Sequence, residues 1–93
     1  MGSTSTSPYF VFMNFDPEYE RLREDRAKQS ELDMYLSMKH DKLLAELLEP
    51  NTYWKRFSLF IVDGFAVEIT DQQADLLRSA KDVRIVEKNQ ELD

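Results

Sequence analysis

The residues able to carry chemistry in this chain are few and scattered. His40 is the single histidine. It stands beside Asp41 in a stretch of helical periodicity, and in that setting it reads as a surface or packing residue before it reads as a general base. The two glycines, Gly2 and Gly64, form neither a G-x-S-x-G nucleophile turn nor a glycine-rich phosphate loop. Cysteine is absent, which removes disulfides, thiolate nucleophiles and cysteine-based zinc sites. The 18 Asp and Glu residues are spread without the spacing of a calcium loop. The sequence therefore predicts no enzyme, no metal and no cofactor, and its chemistry must lie in what its surface recognises.

Recognition is better represented. Residues 55–70 read KRFSLFIVDGFAVEIT, two runs rich in β-branched and aromatic side chains that meet at Asp63-Gly64. That pair suits a tight hairpin turn through the positive φ that glycine accepts. Side chains alternate between the faces of a strand, so Phe65, Val67 and Ile69 share one face, with Ala66 and Glu68 on the other. In the preceding run, spanning Thr52–Val62, Phe57, Leu59 and Ile61 oppose Trp54, Ser58, Phe60 and Val62. Residues 8–14 form a first strand, with Tyr9, Val11 and Met13 on one face and Phe10 and Phe12 on the other. Both faces are apolar, more than a hairpin with one wet face requires.

The remaining elements follow from period and punctuation. Leu32, Tyr35 or Leu36, Met38 or Lys39, Leu43, Leu44, Leu47 and Leu48 make the apolar stripe of a helix that Pro50 and Asn51 terminate. Thr70 and Gln73 form a capping box that opens a second helix, with Ala74, Leu77 and either Leu76 or Ala80 inward, and Asp82 breaks it. Residues 83–87 form a last strand with Val83 and Ile85 on one side. Residues 16–31 are almost all charged or polar; a repulsive Glu20–Glu24 pair and an attractive Glu24–Lys28 pair predict an exposed helical turn or a mobile insertion. Residues 1–7 read as a flexible leader, 8–88 as one domain and 89–93 as a polar tail.

The order β-α-β-β-α-β predicts an α+β, ferredoxin-like domain: a four-stranded antiparallel sheet with two helices on one face. The opposite face then has no protein layer. On this parity it displays Phe10, Phe12, Phe60 and Val62, with Trp54 and Val86 nearby. Leaving such a face wet forfeits roughly 25 cal/mol for each square ångström that could be buried, so it marks a binding surface.

Charge narrows the partner. A formal net charge of −6 argues against nucleic acid, whose phosphates reward clustered positive charge. RNA-recognition modules share this topology and stack bases on sheet aromatics, but they surround those aromatics with Lys and Arg. An RNA-binding domain and an independent protein-interaction module stand as the alternatives. No apolar run approaches the roughly 20 residues of a membrane span, and the opening residues lack the basic and apolar regions of a signal peptide.

The chain resembles the propeptides of subtilisin-like serine proteases, the inhibitor I9 type, and among these the plant subtilases. Residues 9–13 (YFVFM), 40–44 (HDKLL), 57–59 (FSL), 63–70 (DGFAVEIT), 73–77 (QADLL) and 83–87 (VRIVE) carry the likeness. Departures are Asp63 where the family usually has Asn, Asp82 where it has Gly, and Phe57-Ser58-Leu59 in place of Tyr-Ser-Tyr. The resemblance implies a domain that assists the folding of a protease and then inhibits it. Its open sheet face would pack on two enzyme helices, and Gln90, Glu91, Leu92 and Asp93 would enter the substrate cleft. Glu68 or Glu87 would meet the positive ends of those helices. A secreted location is implied where such a domain belongs to a secretory precursor.

Overall fold

The computed structural model describes residues 5–89. In chain order the elements are β1 (Ser7–Met13), α1 (Pro17–Arg23), a 3-10 turn (Arg26–Lys28), α2 (Gln29–Leu47), β2 (Trp54–Leu59), β3 (Gly64–Ile69), α3 (Asp71–Arg78) and β4 (Val83–Lys88). The four strands pair antiparallel in the order β2-β3-β1-β4. This is the α+β, ferredoxin-like sheet that the sequence predicts, with one helix more than the pattern supplied.

Alternation builds the core. Tyr9, Val11 and Met13 of β1 and Phe65, Val67 and Ile69 of β3 turn to one face of the sheet. There they pack with Leu43, Leu44 and Leu48 from α2 and its end, and with Ala74 and Leu77 of α3. Helix α3 starts as predicted: the Thr70 hydroxyl accepts from the Gln73 amide at 3.1 Å and the Gln73 side chain accepts from the Thr70 amide at 2.9 Å. Beyond α2, Asn51 adopts φ 65°, a left-handed conformation that asparagine tolerates better than most residues and that turns the chain towards β2.

The polar stretch at 16–31 carries α1, the 3-10 turn and the first residues of α2; most of its side chains are exposed, and only Tyr19 and Leu22 are buried. The Asp16 carboxylate caps α1 by accepting from the Glu18 amide at 3.0 Å, and Pro17 occupies the first turn, where its missing N–H is no loss. Helix α1 ends at Arg23, so Glu24 caps it rather than repelling Glu20 from within the helix. The charges pair at i, i+3 instead, Glu18 with Arg21 and Glu20 with Arg23. The few apolar residues, Tyr19 and Leu22, join Leu32 and Leu36 of α2 in a second small core.

Two irregularities overturn the expected parity. In β2, Lys55 pairs with Val67 and Phe57 with Ala66, leaving Arg56 as an extra residue. In β4, Val83 pairs with Met13 and Ile85 with Phe12, leaving Arg84 extra. Each bulge shifts the alternation by one. Val83 and Val86, rather than Val83 and Ile85, therefore face the helices and are buried.

Candidate functional site

Strand partners share a face, so the register defines the side of the sheet away from α2 and α3. Phe10 stands between Ala66 and Glu87, and Phe12 between Gly64 and Ile85. On β2, Trp54 lies beside Glu68, Phe57 beside Ala66, and Leu59 beside Gly64. The result is a lane of small residues, Gly64 and Ala66, running between Phe10 and Phe12 on one side and Phe57 and Leu59 on the other. Rings of Phe10 and Phe12 lie 6.4 Å apart, stacked. Trp54 is 56%, Phe57 51% and Ile85 38% exposed. An exposed apolar face of this extent is a candidate binding surface.

Gly64 is required here by proximity. Its φ is not positive, contrary to the tight-turn expectation, because the turn is Phe60–Asp63 and Gly64 already opens β3. A Cβ on Gly64 would stand 2.7 Å from the Val11 carbonyl oxygen and 3.0 Å from the Phe12 ring, so only glycine lets Phe12 lie across β3.

The sequence-predicted site residues divide accordingly. Phe10, Phe12, Trp54, Glu68 and Glu87 lie on the open face. Val86 does not: it pairs with Val11 and is 6% exposed, because the bulge at Arg84 turns it inward. Phe60 and Val62 are not on the sheet either. Strand β2 ends at Leu59, and both residues belong to the turn, Phe60 near Leu22 and Leu32 and Val62 near Phe12 and Phe15. Phe57, Leu59 and Ile85 take the vacated places, and the parity count missed them because a bulge leaves no mark in hydrophobic alternation. Gln90, Glu91, Leu92 and Asp93 lie outside the described residues. The two carboxylates differ: Arg56 holds Glu68 in an ion pair, while Glu87 is exposed and pairs with no cation among the described residues.

Beneath the sheet, polar residues form a hydrogen-bonded chain that is buried at His40 and Asp63 and half-buried elsewhere. His40 is wholly buried; its Nδ1 lies 2.8 Å from Ser58 Oγ and its Nε2 2.8 Å from Asp63 Oδ1. A carboxylate can only accept from the ring, so Nε2 carries the proton and Nδ1 accepts from the Ser58 hydroxyl. Lys39 donates to both Asp63 and Asp16, and Tyr35 donates to Asp16 at 2.6 Å. Burial pushes the His40 pKa down against the opposing pull of Asp63, so the ring is neutral. Burial works to raise the Asp16 carboxyl, but hydrogen bonds from Lys39 and Tyr35 outweigh it and hold the group below the usual range. Serine, histidine and aspartate in line match a nucleophile and its base only in composition. With His40 fully enclosed by core residues, no substrate reaches it, and the chain of bonds instead ties the β2–β3 turn to α2. Among the described residues, no group of three His, Cys, Asp or Glu side chains gathers where a metal ion could be held.

The fold is a small α+β domain whose sheet leaves an apolar face uncovered among the described residues. The chain belongs to the peptidase inhibitor I9 family, which it matches over residues 15–93. It is similar to subtilisin-like protease SBT2.5 of Arabidopsis thaliana, with 39% identity over 56 residues, covering 59% of this chain and 7% of that protein. The chain thus spans a small fraction of the length of this relative. No solved structure matches it. The I9 domain is a propeptide or inhibitor unit and not a catalytic one.

Proposed function

We propose that this chain acts as a propeptide-like inhibitor of a subtilisin-like serine protease, binding through its open sheet face and assisting the folding of the protease domain it accompanies. The observation that carries the reading is the aromatic face of Phe10, Phe12, Trp54 and Phe57, which no element of the described fold covers, in a chain of the I9 family. The lane over Gly64 and Ala66 suits the ridge of a partner helix, since small residues let a partner backbone approach closely. Of the two candidate carboxylates, Glu87 makes no ion pair among the described residues and would meet the positive end of such a helix. Asn89, just past β4, still donates to the Pro8 carbonyl at 2.9 Å, and Gln90, Glu91, Leu92 and Asp93 would occupy the substrate cleft as a product does. In a secretory precursor the domain would act outside the cell or along the route to it.

An RNA reading gains nothing from the face: its one guanidinium on β2, Arg56, is engaged by Glu68, and stacking aromatics without a basic rim bind single strands weakly. The test is a titration of the 93-residue chain into a panel of plant subtilisin-like proteases. We expect inhibition of at least one. Phe57→Asp should weaken it at least about tenfold, as the loss of a central aromatic contact does, while far-UV circular dichroism stays at that of the parent. Inhibition unchanged by Phe57→Asp refutes the sheet as the interface.

A further inference from the structure

The β2–β3 turn departs from ordinary turn chemistry. Loops between strands favour Gly, Asn, Asp, Ser and Pro, yet this one runs Phe60-Ile61-Val62-Asp63, with Phe60 47%, Ile61 74% and Val62 45% exposed. Three consecutive exposed apolar residues are a defect in a sequence unless they have a use. Phe15, 79% exposed, joins Ile61, Val62 and Phe12 around one shallow cavity of about 230 Å³.

The fold also anchors both ends of this tip. Tyr19 of α1 donates to the Phe60 carbonyl at 2.8 Å, the Met13 amide donates to the Asp63 carbonyl at 2.8 Å, and the Asp63 carboxylate is held by Lys39 and His40. An apolar loop fixed by three separate elements loses little freedom when it docks. Its charge differs from that of the open face. Arg23 and Arg84 line the cavity; Arg84 makes no ion pair among the described residues, and Arg23 only an exposed one of 3.5 Å with Glu20. Of the three acids that line the cavity, Asp16 and Asp63 are taken up by Lys39 and Glu20 pairs with Arg23, which leaves Arg84 as the charge without an ion-pair partner among the described residues.

We infer that this tip is a second contact for the same protease that covers the sheet, and that it selects among proteases through an apolar patch with an acidic rim on the enzyme. The inference rests on the inhibitor reading above. Phe12 supplies the continuity, since it lies on the open face and also lines the tip cavity, so one partner surface spans both. The tip stands at the end of the sheet opposite the exit of β4, because β1 pairs its Phe12 end with Gly64 and its Tyr9 end with Lys88. It therefore touches enzyme surface far from any cleft that residues 90–93 enter.

The experiment compares four chains against the same protease panel: parent, Phe57→Asp, the pair Ile61→Asp with Val62→Asp, and Arg84→Glu. All altered side chains of the last two are solvent-exposed, and circular dichroism and the melting point verify their folding. For the protease bound most tightly, the Ile61/Val62 variant should lose about tenfold or more in affinity, and Arg84→Glu should lose several-fold with a weaker salt dependence. The ranking of the panel should also compress. Loss with Phe57→Asp but none with the Ile61/Val62 pair overturns the second contact and leaves the sheet reading intact. Equal loss across every protease retains the contact but overturns its role in selection. No loss with any variant overturns both. Should the double variant unfold, Ile61→Ser alone carries the same test, since it removes apolar area without adding charge.

Discussion

A neutral imidazole buried between a serine and an aspartate makes the stability of this domain depend on pH. His40 has its pKa lowered from 6.5 by burial, against the pull of Asp63 and with Lys39 and Lys55 nearby adding to the fall. The unfolded chain thus takes up a proton near pH 6.5 that the folded chain refuses, so stability is fully present above that pH and drains away as the pH falls below it. The slope is at most about 1.4 kcal/mol per pH unit for one proton. Asp16 adds a second acid-labile window: its lowered pKa gives stability that is lost below its ordinary value of 3.8. Urea midpoints measured between pH 7.5 and 4.5 should fall steadily in the parent and stay nearly flat in His40→Gln, which cannot titrate. An equal slope in both proteins would place the titrating group elsewhere. None of this was legible in the sequence. His40 read as a surface or packing residue and Asp63 as a turn residue, because Ser58 and Asp63 lie 18 and 23 positions from His40 and local pattern carries no information about partners so distant.

At the scale of elements, what the sequence revealed and what it hid have separate physical causes. Local rules held where local bonds decide. The Thr70 and Gln73 box, the end of α2 at Pro50-Asn51 and the paired Phe65, Val67 and Ile69 were all readable from their neighbours. Counting parity failed past Arg56 and Arg84, since a bulge is a choice of the pairing strand and not of the residues inside it. Parity alone therefore omits Phe57, Leu59 and Ile85 from the open face and puts Val86 on it. Helix α1 was hidden for another reason: it offers only Tyr19 and Leu22 to a core, too few for a periodic signal. The capping box also gives a measurable quantity. Thr70→Ala removes the acceptor of the Gln73 amide and should cost about 1 kcal/mol, read as a drop in urea midpoint at constant m-value. A cost near zero would show that the β3–α3 junction is held by packing alone.

For the whole molecule, size and charge set how strongly function and folding are linked. A chain of 93 residues without cysteine, carrying a net charge of −6, has a thin core and a self-repelling surface, and domains of this size are stable by only a few kcal/mol. Its core is moreover split: one cluster lies under α2 and α3, and a separate, smaller one under α1. On the proposed reading the open face of aromatic residues is buried by the protease, and the complex then adds stability that the free domain lacks. Binding to the folded form alone adds about 2.7 kcal/mol when free partner is present at 100 times its dissociation constant. For a domain of this length each kcal/mol moves the melting point by about 4–8 °C, so a protease with its nucleophile replaced should raise the melting point by about 10 °C or more. The same shift should shrink for Phe57→Asp at equal partner concentration, because its weaker affinity leaves a smaller ratio of partner to dissociation constant. A melting point that ignores saturating protease would mean that the sheet is not covered by it, whatever inhibition assays report. A full shift in Phe57→Asp would move the binding surface off the face that Gly64 and Ala66 divide.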